Sequence, residues 1–245
     1  EAVAGNVVFT GVNGVILDDA ANAGGGVVTI TTDSTTTDGQ IDINSAVDSA
    51  AGDTSANGLT LTSGTADIVA DAAMGGTEPL SVVDVTDAAN VSLEGIATSG
   101  ASGSNTITIG SNSAITGTVT VGVSGSVRWS TDGAGATTDT GNVRVNVSGT
   151  LLLQNDLTID TNDVAALGGA DTGTDGTVTL LGGGSVASND GNDGLTLDLG
   201  GGGAGDSTIA GVDLDDAAGA QAFLDYFRVV AGNNVALGSV RTNDG

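Results

Sequence analysis

Apolar residues alternate with Thr, Ser or Asp in short runs from one end of the chain to the other. Examples are Val28-Thr29-Ile30-Thr31, Ile41-Asp42-Ile43, Leu59-Thr60-Leu61-Thr62, Thr118-Val119-Thr120-Val121, Val143-Arg144-Val145-Asn146-Val147 and Leu195-Thr196-Leu197-Asp198-Leu199. A period of two belongs to a strand, whose successive side chains point to opposite faces. The runs are bounded by Gly, Asn, Asp and Ser, residues that tolerate turn conformations. The pattern predicts an all-β chain of many short strands. One segment departs from it: Asp215-Asp216 precede Ala220, Phe223, Leu224 and Phe227 at helical spacing, with Arg228 at the end. That spacing predicts a short amphipathic helix, and a strand over Leu224 to Val230 is the alternative.

A tetrapeptide, Asn-Val-any-apolar, returns at Asn6-Val7-Val8-Phe9, Asn90-Val91-Ser92-Leu93, Asn142-Val143-Arg144-Val145 and Asn234-Val235-Ala236-Leu237. Two copies extend further, Gly5 to Leu17 matching Gly141 to Leu153 after a one-residue adjustment. Such internal similarity is the mark of a stacked-repeat architecture. An Asn opening a strand can bond the backbone two residues on, and in stacked coils such residues align into ladders. The prediction is a right-handed parallel β-solenoid of short Thr/Val-rich strands, with a short C-terminal helix or cap. Asp-Gly and Asn-Gly pairs, such as Asn13-Gly14, Asp38-Gly39 and Asp190-Gly191, are hairpin signals and keep an antiparallel β-sandwich as the alternative. The glycine run Gly200 to Gly203 suggests a division into a solenoid over 1–200 and a cap or assembly segment over 201–245.

Composition sharpens this picture. Four basic residues, all arginines, stand against 30 acidic ones, a net charge of −26, with no Lys, His or Cys. Ser-His-Asp and Cys-His nucleophilic sites, Schiff-base lysines and His/Cys zinc sites are therefore excluded, and no basic surface exists for nucleic acid. Aromatic residues make up 2% of the chain, which calls for a narrow core of small aliphatic side chains. No apolar run approaches the ~18 residues of a spanning helix, so no membrane insertion is expected. Glu1 follows neither an initiator Met nor a leader, as in a processed, exported chain or one cut from something larger.

The acidic excess points to calcium, which takes carboxylate and carbonyl oxygens from flexible loops. The candidate ligands are Asp190 and Asp193, and Asp213, Asp215 and Asp216, with solvated turn aspartates as the other reading. No cofactor is required by any motif. Phe223, Tyr226 and Phe227 gather three of the five aromatics, either as the core of a cap or as a subunit-joining patch. Val127-Arg128-Trp129-Ser130 puts Arg128 and Trp129 on opposite faces of a strand, with Trp129 filling the end of the solenoid or a wide coil and Arg128 tied to a nearby aspartate. A carboxylate acid–base pair is the one catalytic device the composition allows, and the sequence singles out none.

The segment from Ile16 to Leu93 resembles bacterial β-strand-repeat surface proteins of the filamentous-haemagglutinin-like adhesin type. The likeness is carried by Val15-Ile16-Leu17-Asp18, by Ala23-Gly24-Gly25-Gly26 leading into Val27 to Ile30, by Leu59 to Ile68, and by the Gly75-Gly76-Thr77-Glu78-Pro79-Leu80 corner before the strand Val82 to Val85. It covers about a third of the chain well. The resemblance implies an exported, non-enzymatic rod at the cell surface, a subunit or segment of a filament or adhesin stalk, whose partner is itself. A calcium-dependent surface-layer or carbohydrate-binding module that meets cell-surface polysaccharide is one alternative. A β-solenoid polysaccharide-degrading enzyme is another.

Overall fold

The computed structural model describes residues 5–11, 13–18, 25–51, 55–99, 104–131, 140–162, 175–200, 207–214, 223–230 and 234–242. Their strands fall into three parallel stacks that the chain visits in turn. The first sheet holds Val7–Phe9, Ile41–Ile43, Ile68–Ala70, Val91–Leu93, Thr118–Val121, Thr150–Leu153 and Ser185–Ser188. The second runs from Val15–Leu17 and Val47–Ser49 through a bridge at Met74 to Ile96–Ala97, Val127–Ser130, Leu157–Asp160, Leu195–Asp198 and Phe227–Val230. The third holds Val27–Thr31, Gly58–Thr62, Val83–Asp87, Asn105–Ile109, Asn142–Asn146, Val178–Leu181, Ser207–Leu214 and Val235–Thr242.

Every strand pair among the described residues is parallel, so the chain is a β-solenoid and not an antiparallel sandwich. The pairs Asn13-Gly14, Asp38-Gly39 and Asp190-Gly191, which suggested hairpins, serve as corners between sheets. At Asp38-Gly39 the glycine lies under the backbone of Gly5 one coil away, too close for a Cβ. Inward positions stack in columns of aliphatic side chains. One column reads Ile41, Ile68, Val91, Val119 and Leu151, each exposed by 2% or less. Burying such a side chain is worth roughly 1.5–3 kcal/mol, and the core is built almost wholly from Val, Ile and Leu.

Coil length varies because the corners vary while the columns do not. Residues facing each other across one coil are 23 apart at Asp67 and Asn90 and 35 apart at Asn142 and Thr177. The asparagines of the tetrapeptide explain how register survives this. At three of the four, the bond expected two residues on gives way to one along the stack. Asn6, Asn90 and Asn142 accept the backbone N–H of Gln40, Thr118 and Thr177, the aligned residues one coil later, at 2.9, 2.9 and 2.7 Å. Asp156 accepts from Gly194 in the same way at 2.8 Å.

Just ahead of these polar residues lies a column of small ones, Gly5, Gly39, Ala66, Ala89, Gly117, Gly149 and Gly184, at the corner entering the first sheet. A Cβ on Gly149 would run into the carbonyl oxygens of Gly117 and Thr116, whereas one on Gly5, at the open end, meets nothing within 4 Å.

The helix expected from Asp215 to Arg228 is corrected where it is described. Phe223 to Tyr226 are irregular and Phe227–Val230 is a strand, paired in register with Leu195–Asp198. Phe227 and Val229 face inward while Arg228 faces out, so the spacing that fits a helix also fits a strand, an ambiguity of short apolar runs. Asp215 to Ala222 lie outside the described residues. Two ladders run across residue 200, Val178–Leu181 pairing with Ser207–Leu214 and Leu195–Asp198 with Phe227–Val230.

Gly149→Ala should lower the unfolding free energy by about 1–3 kcal/mol, the range of a forced backbone shift, and Gly5→Ala should leave it unchanged. Denaturant titration of the two variants beside the parent checks this, since equal stabilities would remove the close-packed corner from the account.

Candidate functional site

The second sheet carries the densest charge chemistry. Its last four strands align as Val-Arg-Trp-Ser, Leu-Thr-Ile-Asp, Leu-Thr-Leu-Asp and Phe-Arg-Val-Val, with alternate residues inward. Trp129 is fully buried in the core and donates its Nε1–H to the Glu94 carbonyl at 2.9 Å. The Glu94 carboxylate, also buried, accepts the Ser124 N–H at 2.9 Å. Trp129 thus fills a coil in the middle of the stack. Arg128, on the opposite face, reaches diagonally to the next coil and forms an ion pair with the Asp160 carboxylate.

Asp198 lies in register with Asp160, one coil further on, and both are buried, 0% and 2% exposed. Strand spacing puts their backbones about 4.8 Å apart. Burial pushes the Asp160 carboxyl up to about 6, against the pull of the Asn162 N–H and the Arg128 guanidinium, and the Asp198 charge adds to the rise. Arg228 stands one coil beyond Thr196 in the column of Arg128, so two of the four arginines bracket the stacked carboxylates. Asp160 can hold a proton there, and both carboxyl groups are closed to water.

The sequence reading placed an aspartate beside Arg128 without naming it and missed the stack. The signal was present in Leu157-Thr158-Ile159-Asp160 and Leu195-Thr196-Leu197-Asp198, near-identical tetrapeptides at aligned positions.

Asp190 and Asp193 share one turn organised by Ser188. The Ser188 hydroxyl donates to Asp193 Oδ2 at 2.7 Å and accepts the Gly191 N–H at 2.9 Å. Burial raises the Asp193 carboxyl, and the Asp190 and Asp156 charges raise it further, with Ser188 opposing. Hydrogen bonds from Asn192 hold the exposed Asp190 carboxyl below its usual range. Among the described residues no three acidic side chains gather around a common point. Asp215 and Asp216 lie outside the described residues, and Asp213 is placed only as a strand position opposite Arg241.

The two ends of the stack are unlike its middle. In the third sheet, the inward column Leu59, Val83, Ile107, Val143 and Val178 is at most 1% exposed, and after Ser207 it ends at Val235, 42% exposed, as it begins at Val28, 39% exposed. In the neighbouring column Leu61, Val85 and Ile109 are buried while Leu237 is 43% exposed. Of the aromatics expected at an interface, Phe227 continues the core column of Leu157 and Leu195, and Phe223 is half-buried. The Tyr226 ring lies over Gly194, 37% exposed.

Comparison with family models, with curated proteins and with solved structures gives no match in any of the three. The likeness to filamentous-haemagglutinin-like adhesins therefore rests on the sequence segments that carry it.

Asp160 makes the stability depend on pH in a definite direction. Its folded carboxyl titrates above the unfolded value of 3.8, so between about pH 4 and 6 the folded chain holds a proton that the unfolded chain has released. The contribution is complete below about pH 4 and is lost as pH rises through 6. Asp160→Asn, which keeps an acceptor for the Asn162 N–H, should be neutral at pH 4 and stabilising above pH 7 by about 3 kcal/mol, at ~1.4 kcal/mol per pH unit of displacement. Parallel melts of parent and variant across pH 4–8 check this, and an unchanged difference across that range would contradict it.

Proposed function

We propose that this chain is a non-enzymatic, extracellular structural rod, a subunit or segment of a cell-surface filament or adhesin stalk, that lengthens by stacking end on end. The observation that carries the reading is the contrast along single columns. In the third sheet the inward residues from Leu59 to Val178 and from Leu61 to Ile109 are closed to water, whereas Val28 at one end and Val235 and Leu237 at the other are open to it. An edge strand with unpaired backbone groups and exposed apolar side chains is a template for adding another strand. The load would run through the parallel backbone ladders, and the acidic coat would keep rods apart sideways. The resemblance to adhesin stalks and the absence of Lys, His and Cys agree with an inert exported body.

Negative-stain microscopy and sedimentation of the purified chain across rising salt test the reading. The expected result is unbranched rods one solenoid wide, growing in steps of roughly 40 Å per copy at ~4.8 Å per coil. Monomers that stay discrete at every salt concentration and cleave polysaccharide would overturn it in favour of the enzyme. Sheets that form only with calcium would overturn it in favour of the surface-layer module.

A further inference from the structure

The stack is built so that its last coil presents the pattern its first coil receives. Reading the third sheet by register, the interior columns end at Val235, Ala236 and Leu237 on one side and at Val28, Thr29 and Ile30 on the other. Val235 and Val28 are the two ends of one inward column, Leu237 and Ile30 of the next, and Ala236 and Thr29 of the outward column between them. In the second sheet, the column containing Trp129 ends at Val229 and Val15.

The outward column beside it supplies an independent observation. Its interior runs Asp48, Gly75, Ala97, Ser130, Asp160 and Asp198, but its end members are Ile16 and Val230. Small or polar positions give way to large aliphatic ones only where the column meets an end. Ile16 is 55% exposed. At the first end the core itself is open, with Phe9, Val15 and Ile30 lining an apolar cleft above Ile43, Val47 and Leu59.

From this continuity we infer that a second copy of the chain docks head to tail. Val235–Thr242 of one copy pairs in parallel with Val27–Thr31 of the next, with Val235 on Val28, Ala236 on Thr29 and Leu237 on Ile30. Phe227–Val230 pairs at the same time with Val15–Leu17, setting Val229 on Val15 and Val230 on Ile16. The inference rests on the end-on-end reading above and fixes its register. The contact is heterologous, and because each copy adds coils along the same stacking axis it repeats without closing and yields a filament. Both copies carry a charge of −26. Screening by plain sodium chloride should therefore promote docking, without need of a divalent ion.

The chain has no cysteine, so a cross-link reports on the introduced thiols alone. Chains carrying Thr29→Cys and chains carrying Ala236→Cys are mixed at about 1 M salt, where the screening length is ~3 Å, and mildly oxidised. Each is also oxidised alone. The expected product is a disulfide-linked dimer in the mixture, at least tenfold above either chain alone. Val28→Asp should weaken association at least tenfold, with only a small fall in the melting temperature of the monomer, because Val28 lies on the end coil and is already 39% exposed. Association that persists with no excess cross-link and no effect of Val28→Asp would overturn this register while leaving a filament-forming rod in place. Absence of association at every salt concentration would overturn both.

Discussion

The in-register parallel stack is the constraint on which everything else here depends. Each coil is too thin to hold a core of its own. Its inward Val, Ile or Leu side chains are covered only because the next coil sets the same kind of residue above them. A slip of one residue along any strand would turn the whole inward set toward water and bring Thr and Asp into the core. The corner residues act against such a slip. The small column through Gly117, Gly149 and Gly184 allows successive backbones to approach, and Asn6 and Asn90, which follow other members of that column, tie one coil to the next through their side chains. Coils that differ in length by a dozen residues therefore still align, because the excess sits in the corners.

The same constraint accounts for the unusual composition. A column of stacked identical positions has room for a narrow side chain and little room for a ring, so Trp129 is accommodated once, with its N–H satisfied by the Glu94 carbonyl. Outward columns tolerate Thr, Ser and Asp at close spacing, and charge accumulates there. Where an outward position is buried, as at Asp160, burial works against the carboxylate's charge and Arg128 opposes it in part. Stacking makes such like-charge encounters hard to avoid in an acidic solenoid, since a residue repeated along a column always faces its own kind.

Strand periodicity was legible in the sequence, as were the solenoid and the opposite facing of Arg128 and Trp129. The repeat itself was seen only through its most visible copies. Its full form, a small residue, a polar residue and then aliphatic positions alternating with any residue, includes Gly39-Gln40-Ile41 and Ala66-Asp67-Ile68. Those do not look like Gly5-Asn6-Val7 until the register aligns them. The Asp160–Asp198 stack was hidden for the same reason, because 38 residues separate its members and no local pattern shows that they face each other. Phe223 to Arg228 failed in the other direction. Local spacing favoured a helix, and the free edge of Leu195–Asp198 decided the matter by offering a partner for a strand.

The claim that distance follows coil number, not residue number, can be measured directly in solution. Val8, Ser92, Thr120 and Leu152 share one outward column of the first sheet. Spin labels are placed at Val8 and, in turn, at Ser92, Thr120 and Leu152, three, four and five coils away. Pulsed dipolar spectroscopy should then give separations rising in equal steps of about 4.8 Å from roughly 14 Å, apart from label length. Equal steps for intervals of unequal sequence length are the expected result. Separations that fail to rise in that order, or that jump as strands on opposing antiparallel sheets would, would contradict the stacked solenoid.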